Sequence, residues 1–531
     1  MRNRYFNYFV NLIFPAFVFG TVTGVFTSVI ITLYKFCAKH VIELSEKGYH
    51  FIREHLYLIP VILAVMLGLA FVYQYIYKKI PNIKGGGIPT SIGVLRGVIR
   101  FRWIRNLIGT FFVSLLTFLI GVPLGNEGPS VQMGTSIGKG SVNHGLKKHR
   151  AWERYTMTGG ACAGFSVATG ASISGIMFSI EEAHQRISPM IFIVSATAVA
   201  VSRLTTEIIS PILGVSITLF PELALMRLSA KDIWIPIALG LLIGLFAALF
   251  LRYYSLIADT LADKLERIPH AYKIFAVFAL TLIAGLFSFS FISTGHHLIL
   301  ELIDGRVAVY MLLLMLFIRP TLTVFANSNS ITGGIFLPIM AIGAVFSALI
   351  GKGALALGLG NEYYTIILVL GITACISAMM KMPLTAIFFA MEALSCAGNL
   401  LYVITVSTVA FMITEVFEAK SINDSVLENR LEKLNEGNSA KVIDTFVTVK
   451  EHSFAIGKQI RDIFWPANLF VLSVKRGEKH GAEVDEHGGK AIRAGDVLHV
   501  RYSTYDEERT REELTAIVGE QEYDEVEDKI I

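Results

Sequence analysis

Apolar runs of roughly 17–25 residues, each enough to cross a bilayer as a helix, recur along the chain between short polar or glycine-rich breaks. The first runs through residues 8–45 and stays apolar until Lys35. Others cover Tyr57–Tyr77, Arg102–Leu124, Tyr155–Ser179 and Ile191–Ile209. After a softer stretch, Leu219–Lys231, come Trp234–Leu256, Ile274–Phe291, Tyr310–Phe325, Tyr364–Met380 and Leu400–Phe417. Several runs are cut short by Gly and Pro, at Gly85–Pro89, Gly125–Pro129 and Gly333–Pro338. Interrupted apolar segments in both halves of a chain point to a midplane binding site between inverted repeats. Irregular backbone at that depth is tolerated only inside protein or against a water-filled cavity. Glycine serving helix packing alone is the plainer reading of any single break.

Beyond Glu418 the pattern changes. Residues 419–440 are charged and polar, and alternation sets in from Phe446, as in Phe446-Val447-Thr448-Val449 and Leu469-Phe470-Val471-Leu472. Ala494-Gly495-Asp496-Val497 reads as a turn entering a strand. The expected organisation is a membrane domain over 1–430, a linker over 431–445, a small α+β domain over 446–505 and an acidic tail over 506–531.

Composition sharpens the class. The chain is 53% hydrophobic and only 17% charged, with mean hydropathy +0.59, which excludes an ordinary soluble domain. The fold class is therefore all-α and polytopic in the membrane, with a small α+β appendage. The formal charge of +4 is no argument for nucleic acid. Basic clusters at Lys78-Lys79 and Lys147-Lys148-His149-Arg150 favour the cytoplasmic side of a cell membrane, and both termini are expected there. The four cysteines have neither metal-ligand nor disulfide spacing. No metal, cofactor or nucleophile–base pair is expected, so an enzyme is disfavoured.

The stretch that resists explanation by packing is Gly125-Asn126-Glu127-Gly128-Pro129-Ser130. An acidic side chain at membrane depth is costly and usually faces a bundle interior or a water-filled path. Pro129 suits the first turn of a helix, whose free N–H groups and dipole attract an anion. Two readings follow: a broken helix that binds an anion, with Glu127 competing for the place, or a turn whose glutamate faces the headgroups.

Three pentapeptides, Gly85-Gly86-Gly87-Ile88-Pro89, Gly125-Asn126-Glu127-Gly128-Pro129 and Gly334-Ile335-Phe336-Leu337-Pro338, resemble the G-S-G-I-P, G-R/K-E-G-P and G-x-F-x-P motifs of the CLC family of chloride channels and proton-coupled anion antiporters. The resemblance covers about residues 10–430. It implies an inverted-repeat helical fold, a homodimer with one anion path per subunit, chloride or another small anion as transported ligand, and coupled protons. It implies that Glu127 is the gating glutamate and Glu182 the internal proton-transfer residue. It implies an anion cradle from Gly86, Gly87, Ile88, Gly128, Ile335 and Phe336. The family serine is replaced by Gly86, and the family's late tyrosine donor matches Asn423 in Ile422-Asn423-Asp424. Asn126, in place of Arg or Lys, is similar to the fluoride-exporting branch. A passive voltage-gated-type chloride channel and a fluoride/proton antiporter are thus the alternatives to chloride/proton antiport. Residues 440–505 resemble the TrkA-C domain of potassium-conductance regulators at Ile456–Asp462 and Ala494–Leu498. This implies a cytoplasmic domain that dimerises or binds a small ligand, against the plainer role of steadying assembly. Potassium transport itself is disfavoured, because no carbonyl filter motif is present. His184, His296 and His297 read as surface or helix-end residues before proton relays.

Overall fold

The computed structural model describes residues 13–143, 151–264, 267–435, 439–476, 483–485, 491–521 and 529–530. The Lys147–Arg150 cluster and the end of the acidic tail at 522–528 lie outside them.

Eighteen α-helices follow one another among the described residues. The first membrane half holds α1 (Phe14–Glu54), α2 (Ile59–Lys79), α3 (Ile88–Leu95), α4 (Trp103–Ile120), α5 (Glu127–Asn143), α6 (Glu153–Thr169), α7 (Ser172–Phe178) and α8 (Pro189–Leu213). The second half holds α9 (Trp234–Lys264), α10 (His270–Phe287), α11 (His296–Ile303), α12 (Val309–Ser328), α13 (Phe336–Ala356), α14 (Tyr363–Met380), α15 (Pro383–Ala393) and α16 (Leu400–Val416). The last membrane-domain helix, α17, spans Ile422–Asn435. Ten of the described helical segments are long and apolar enough to cross a membrane.

Burial sorts these helices. Only Met66, Ala70, Tyr73 and Tyr77 of α2 are buried, a stripe at helical spacing that leaves the remaining apolar faces for lipid. By contrast α6, rich in Gly, Ala, Ser and Thr, is buried from Tyr155 to Thr169. Small residues let it lie against α5 at backbone contact: a Cβ on Gly134 would strike the Gly160 carbonyl. The run expected over Tyr155–Ser179 is broken at Gly170, whose left-handed φ of +76° ends α6 before α7 begins.

The C-terminal unit is a five-stranded antiparallel sheet in the order β3-β2-β4-β1-β5, with β1 Lys441–Thr448, β2 Leu469–Arg476, β3 Glu483–Asp485, β4 Val497–Thr504 and β5 Lys529–Ile530. Helix α18 (Glu507–Val518) packs Leu514, Ile517 and Val518 into the same core as Val447, Leu498 and Val500. Two boundaries expected from sequence therefore move. Strand β1 begins inside the stretch read as linker. The first half of the acidic tail is a helix of the domain: Leu514, Ile517 and Val518 on one face bury it against the sheet, and Arg509 and Glu513 turn to the membrane domain.

Candidate anion site and inner carboxylate

The three glycine breaks meet in space. Gly125 and Gly334 exchange backbone hydrogen bonds, N to O at 2.6 and 2.7 Å. Gly85 donates to the Ser330 carbonyl at 2.9 Å, and Gly333 donates back to the Gly85 carbonyl at 3.3 Å. Gly128 has no room for a side chain: a Cβ there would collide with the Gly86 carbonyl and lie 2.7 Å from the Gly334 Cα. Gly87 caps α3 with a φ of +77° and abuts the Gly128 carbonyl. These contacts bring the starts of α3 at Ile88, α5 at Glu127 and α13 at Phe336 to one junction, with Ile335 as the cap of α13. Helix starts carry unpaired N–H groups and the positive dipole end, and their convergence is of a kind that favours an anion.

Glu127 occupies this junction. It is fully buried, and neither carboxylate oxygen has a hydrogen-bond partner. The backbone amides of Glu127 itself and Leu337 lie beside the carboxylate. A Cβ on Gly125 would overlap the carboxylate, so that glycine makes its resting place. The headgroup-facing reading of this glutamate is excluded by its burial. At the start of α13, Phe336 meets Phe165 at 5.2 Å and Phe389 at 5.3 Å between ring centroids, and Phe165 stacks on Phe178 at 5.7 Å.

At Gly86 no hydroxyl stands, but there is space for one. A Cβ there would meet nothing closer than Asn327 Oδ1 and Pro89 Cδ, both at 3.6 Å. Asn327 is buried, donates Nδ2 to the Tyr254 hydroxyl at 2.7 Å and leaves Oδ1 without a partner. Sequence reasoning missed both residues. Asn327 lies eight residues before Ile335, just past the apolar run Tyr310–Phe325, and a polar residue between an apolar run and a glycine break is the signal that could have found it.

The inner carboxylates lie on a π-helical turn, Ser179–Ala183, a distortion often found at functional sites. Glu181 accepts from Leu384 N at 2.9 Å, Thr385 N at 2.8 Å and Thr385 Oγ1 at 2.8 Å, so it caps α15. Glu392 on α15 in turn accepts from Ile173 N at 3.0 Å and Ser174 N at 3.1 Å at the start of α7. Glu182 is 3% exposed and takes a hydrogen bond from Asn423 Nδ2 at 2.9 Å. Asn423, expected as a donor to the anion, is thus given another partner here. A buried carboxylate needs a donor, and the asparagine supplies one while its own Oδ1 stays unpartnered. Arg96, at the end of α3, donates to the carbonyls of Glu182 and Ala183 and pairs with Asp424 at 3.5 Å.

The histidines hold structural contacts. His184 Nε2 lies 2.8 Å from Thr158 Oγ1, and His296 Nε2 lies 2.7 Å from the Leu219 carbonyl. His297 is exposed beside Glu301. The C-terminal unit docks close to His184. Phe464 rests on Tyr155 and His184, with centroids at 4.3 and 4.5 Å. Tyr155 donates its hydroxyl to the Asp462 carbonyl at 2.5 Å, and Arg154 donates to the Trp465 carbonyl at 2.6 Å.

Broken helices from two halves, meeting over a buried and unpaired carboxylate, define a CLC-fold membrane protein. The model of the voltage gated chloride channel family matches residues 68–415, and the chain belongs to that family. It is 25% identical over 435 residues to the H+/Cl− exchange transporter ClcA of Vibrio vulnificus, covering 80% of this chain and 90% of that one. It is 26% identical over 401 residues to ClcA of Klebsiella pneumoniae, covering 73% and 83%. Among solved structures, a slow cyanobacterial Cl−/H+ antiporter superposes with a TM-score of 0.71 at 22% identity, covering 79% of this chain and 99% of that one. A CLC-type fluoride/proton antiporter gives 0.58 at 20% identity, covering 76% and 96%.

Proposed function

We propose that the protein exchanges chloride for protons across the cell membrane, with Glu127 as the group both ions share. The carrying observation is the Glu127 carboxylate, fully buried among three helix starts with no hydrogen-bond partner. A carboxylate so placed occupies an anion position while charged. Protonation removes its claim on the positive helix ends and frees it to rotate, admitting an anion. Glu182 passes the proton on the inner side, and Asn423 holds its carboxylate in place. The names of the ClcA relatives support the same pair of ions. The subunit acts within a homodimer, both termini lie in the cytoplasm, and the C-terminal unit is a TrkA-C-like regulatory domain.

A second reading, passive chloride conduction, is favoured by Gly86, which removes a hydroxyl from the cradle. The two separate in one experiment. Purified protein is reconstituted in vesicles, and chloride efflux and proton uptake are recorded together. Exchange requires a chloride gradient to drive protons uphill, whereas chloride flux without proton uptake makes the protein a channel. Substituting fluoride for chloride in the same vesicles tests the fluoride antiporter.

A further inference from the structure

A cavity of about 980 Å3 lies between the membrane domain and the C-terminal unit. Its walls are the end of α2, the α3–α4 connection, the end of α5, the start of α6, and Phe464, Arg509, Glu513 and Ile517 of the C-terminal unit. None of the junction residues lines it: it is separate from Glu127, Gly86, Glu182 and Asn423. Its lining holds seven basic side chains against two acidic ones.

The basic residues divide by partner. Arg100 pairs with Glu513 at 3.8 Å and Lys139 with Glu153 at 3.0 Å. Arg154 is spent on the carbonyls of Leu95 and Trp465, and Arg509 on Glu513 and the Gly97 carbonyl. That uses both acidic residues of the lining. Lys79, Arg102 and Arg105 line the same space with no acidic partner among the described residues. Arg102 also caps α4 without any side-chain hydrogen bond to the helix start. Two exposed guanidiniums and an exposed ammonium, with no acidic partner among the described residues, border one concavity of this size, a setting that suits a multiply charged anion. Guanidinium groups suit phosphate by their forked donors.

We propose that this cavity binds a phosphate-bearing polyanion through Lys79, Arg102 and Arg105 of the membrane domain. Two sources share this chemistry: the headgroup of an acidic phospholipid and a soluble phosphate compound. Either would lie on the end of α2 and the start of α4, beside the docked α18, whose Arg509 and Glu513 already pair with each other.

The test uses the full chain and two probes. Inorganic pyrophosphate is titrated calorimetrically into detergent-solubilised protein. The thermal midpoint is compared in nanodiscs of phosphatidylcholine with and without phosphatidic acid. Each arm is repeated with Arg102→Gln/Arg105→Gln, and with Lys79→Gln in case the double variant does not elute as a single folded species. Pyrophosphate binding that weakens by at least about tenfold in the variants assigns a soluble phosphate ligand. Stabilisation by phosphatidic acid alone, lost in the variants, assigns the lipid headgroup. Wild type and variants behaving alike in both arms overturn the proposal. Neither arm measures transport, so failure of the exchange reading leaves this test standing.

Discussion

Glu127 and Glu181 are both carboxylates at helix starts, and they are held in opposite ways. Glu181 completes three hydrogen bonds at the start of α15. Glu127 sits where α5 and α13 begin and completes none. The electrostatic attraction of a helix start is similar in the two places, but the directional bonds are not. A carboxylate that fills its donors is a fixture. One that completes no such bonds, in a glycine-lined niche, can leave when it loses its charge.

The largest way to break this comparison is Glu127→Gln. It is expected to reduce chloride-driven proton uptake in vesicles to the level of protein-free controls while chloride efflux persists. Proton uptake that survives the change removes Glu127 from the proton path. Next comes Glu182→Gln. It keeps the hydrogen-bonding shape beside Asn423 but not the exchangeable carboxylate, so proton uptake should fall and passive chloride flux remain. Unaltered proton transport would make Glu182 structural, like its neighbour. A smaller effect is expected of Gly86→Ser. The structure has room for it, and one added hydroxyl donor to an anion should tighten chloride binding by about tenfold in calorimetry. Unchanged or weaker affinity would mean that the Gly86 side of the junction does not face the ion. The smallest is Glu181→Ala. Losing a helix cap costs about 1 kcal/mol, read as a lowered thermal midpoint, with the proton-to-chloride ratio unchanged. A changed ratio would bring Glu181 into the transport path and erase the contrast.

The glycine pentapeptides made the junction legible in the sequence, because close backbone approach at Gly128 tolerates only hydrogen as a side chain. The acidic residue inside an apolar run was equally legible, since its cost in lipid demands a reason. Asn327 was not, because its place beside Gly86 depends on a contact between segments some 240 residues apart in the chain. The Glu182–Asn423 bond was hidden in the same way: each residue was singled out, but nothing local joined α17 to the π-turn. The acidic run Asp506–Glu513 misled in the other direction. Its charges read as an exposed helix or a disordered stretch; it is a helix, yet Leu514, Ile517 and Val518 pin it to the sheet.

The reciprocal capping of α7 and α15 constrains how an ion can be passed. Glu181 from the first half plugs the second, and Glu392 from the second plugs the first. Prising the halves apart would strand two carboxylates and four backbone amides at once. The framework is latched across its own seam, so in the exchange proposed for this protein alternation between the two sides of the bilayer would fall to the swing of single side chains.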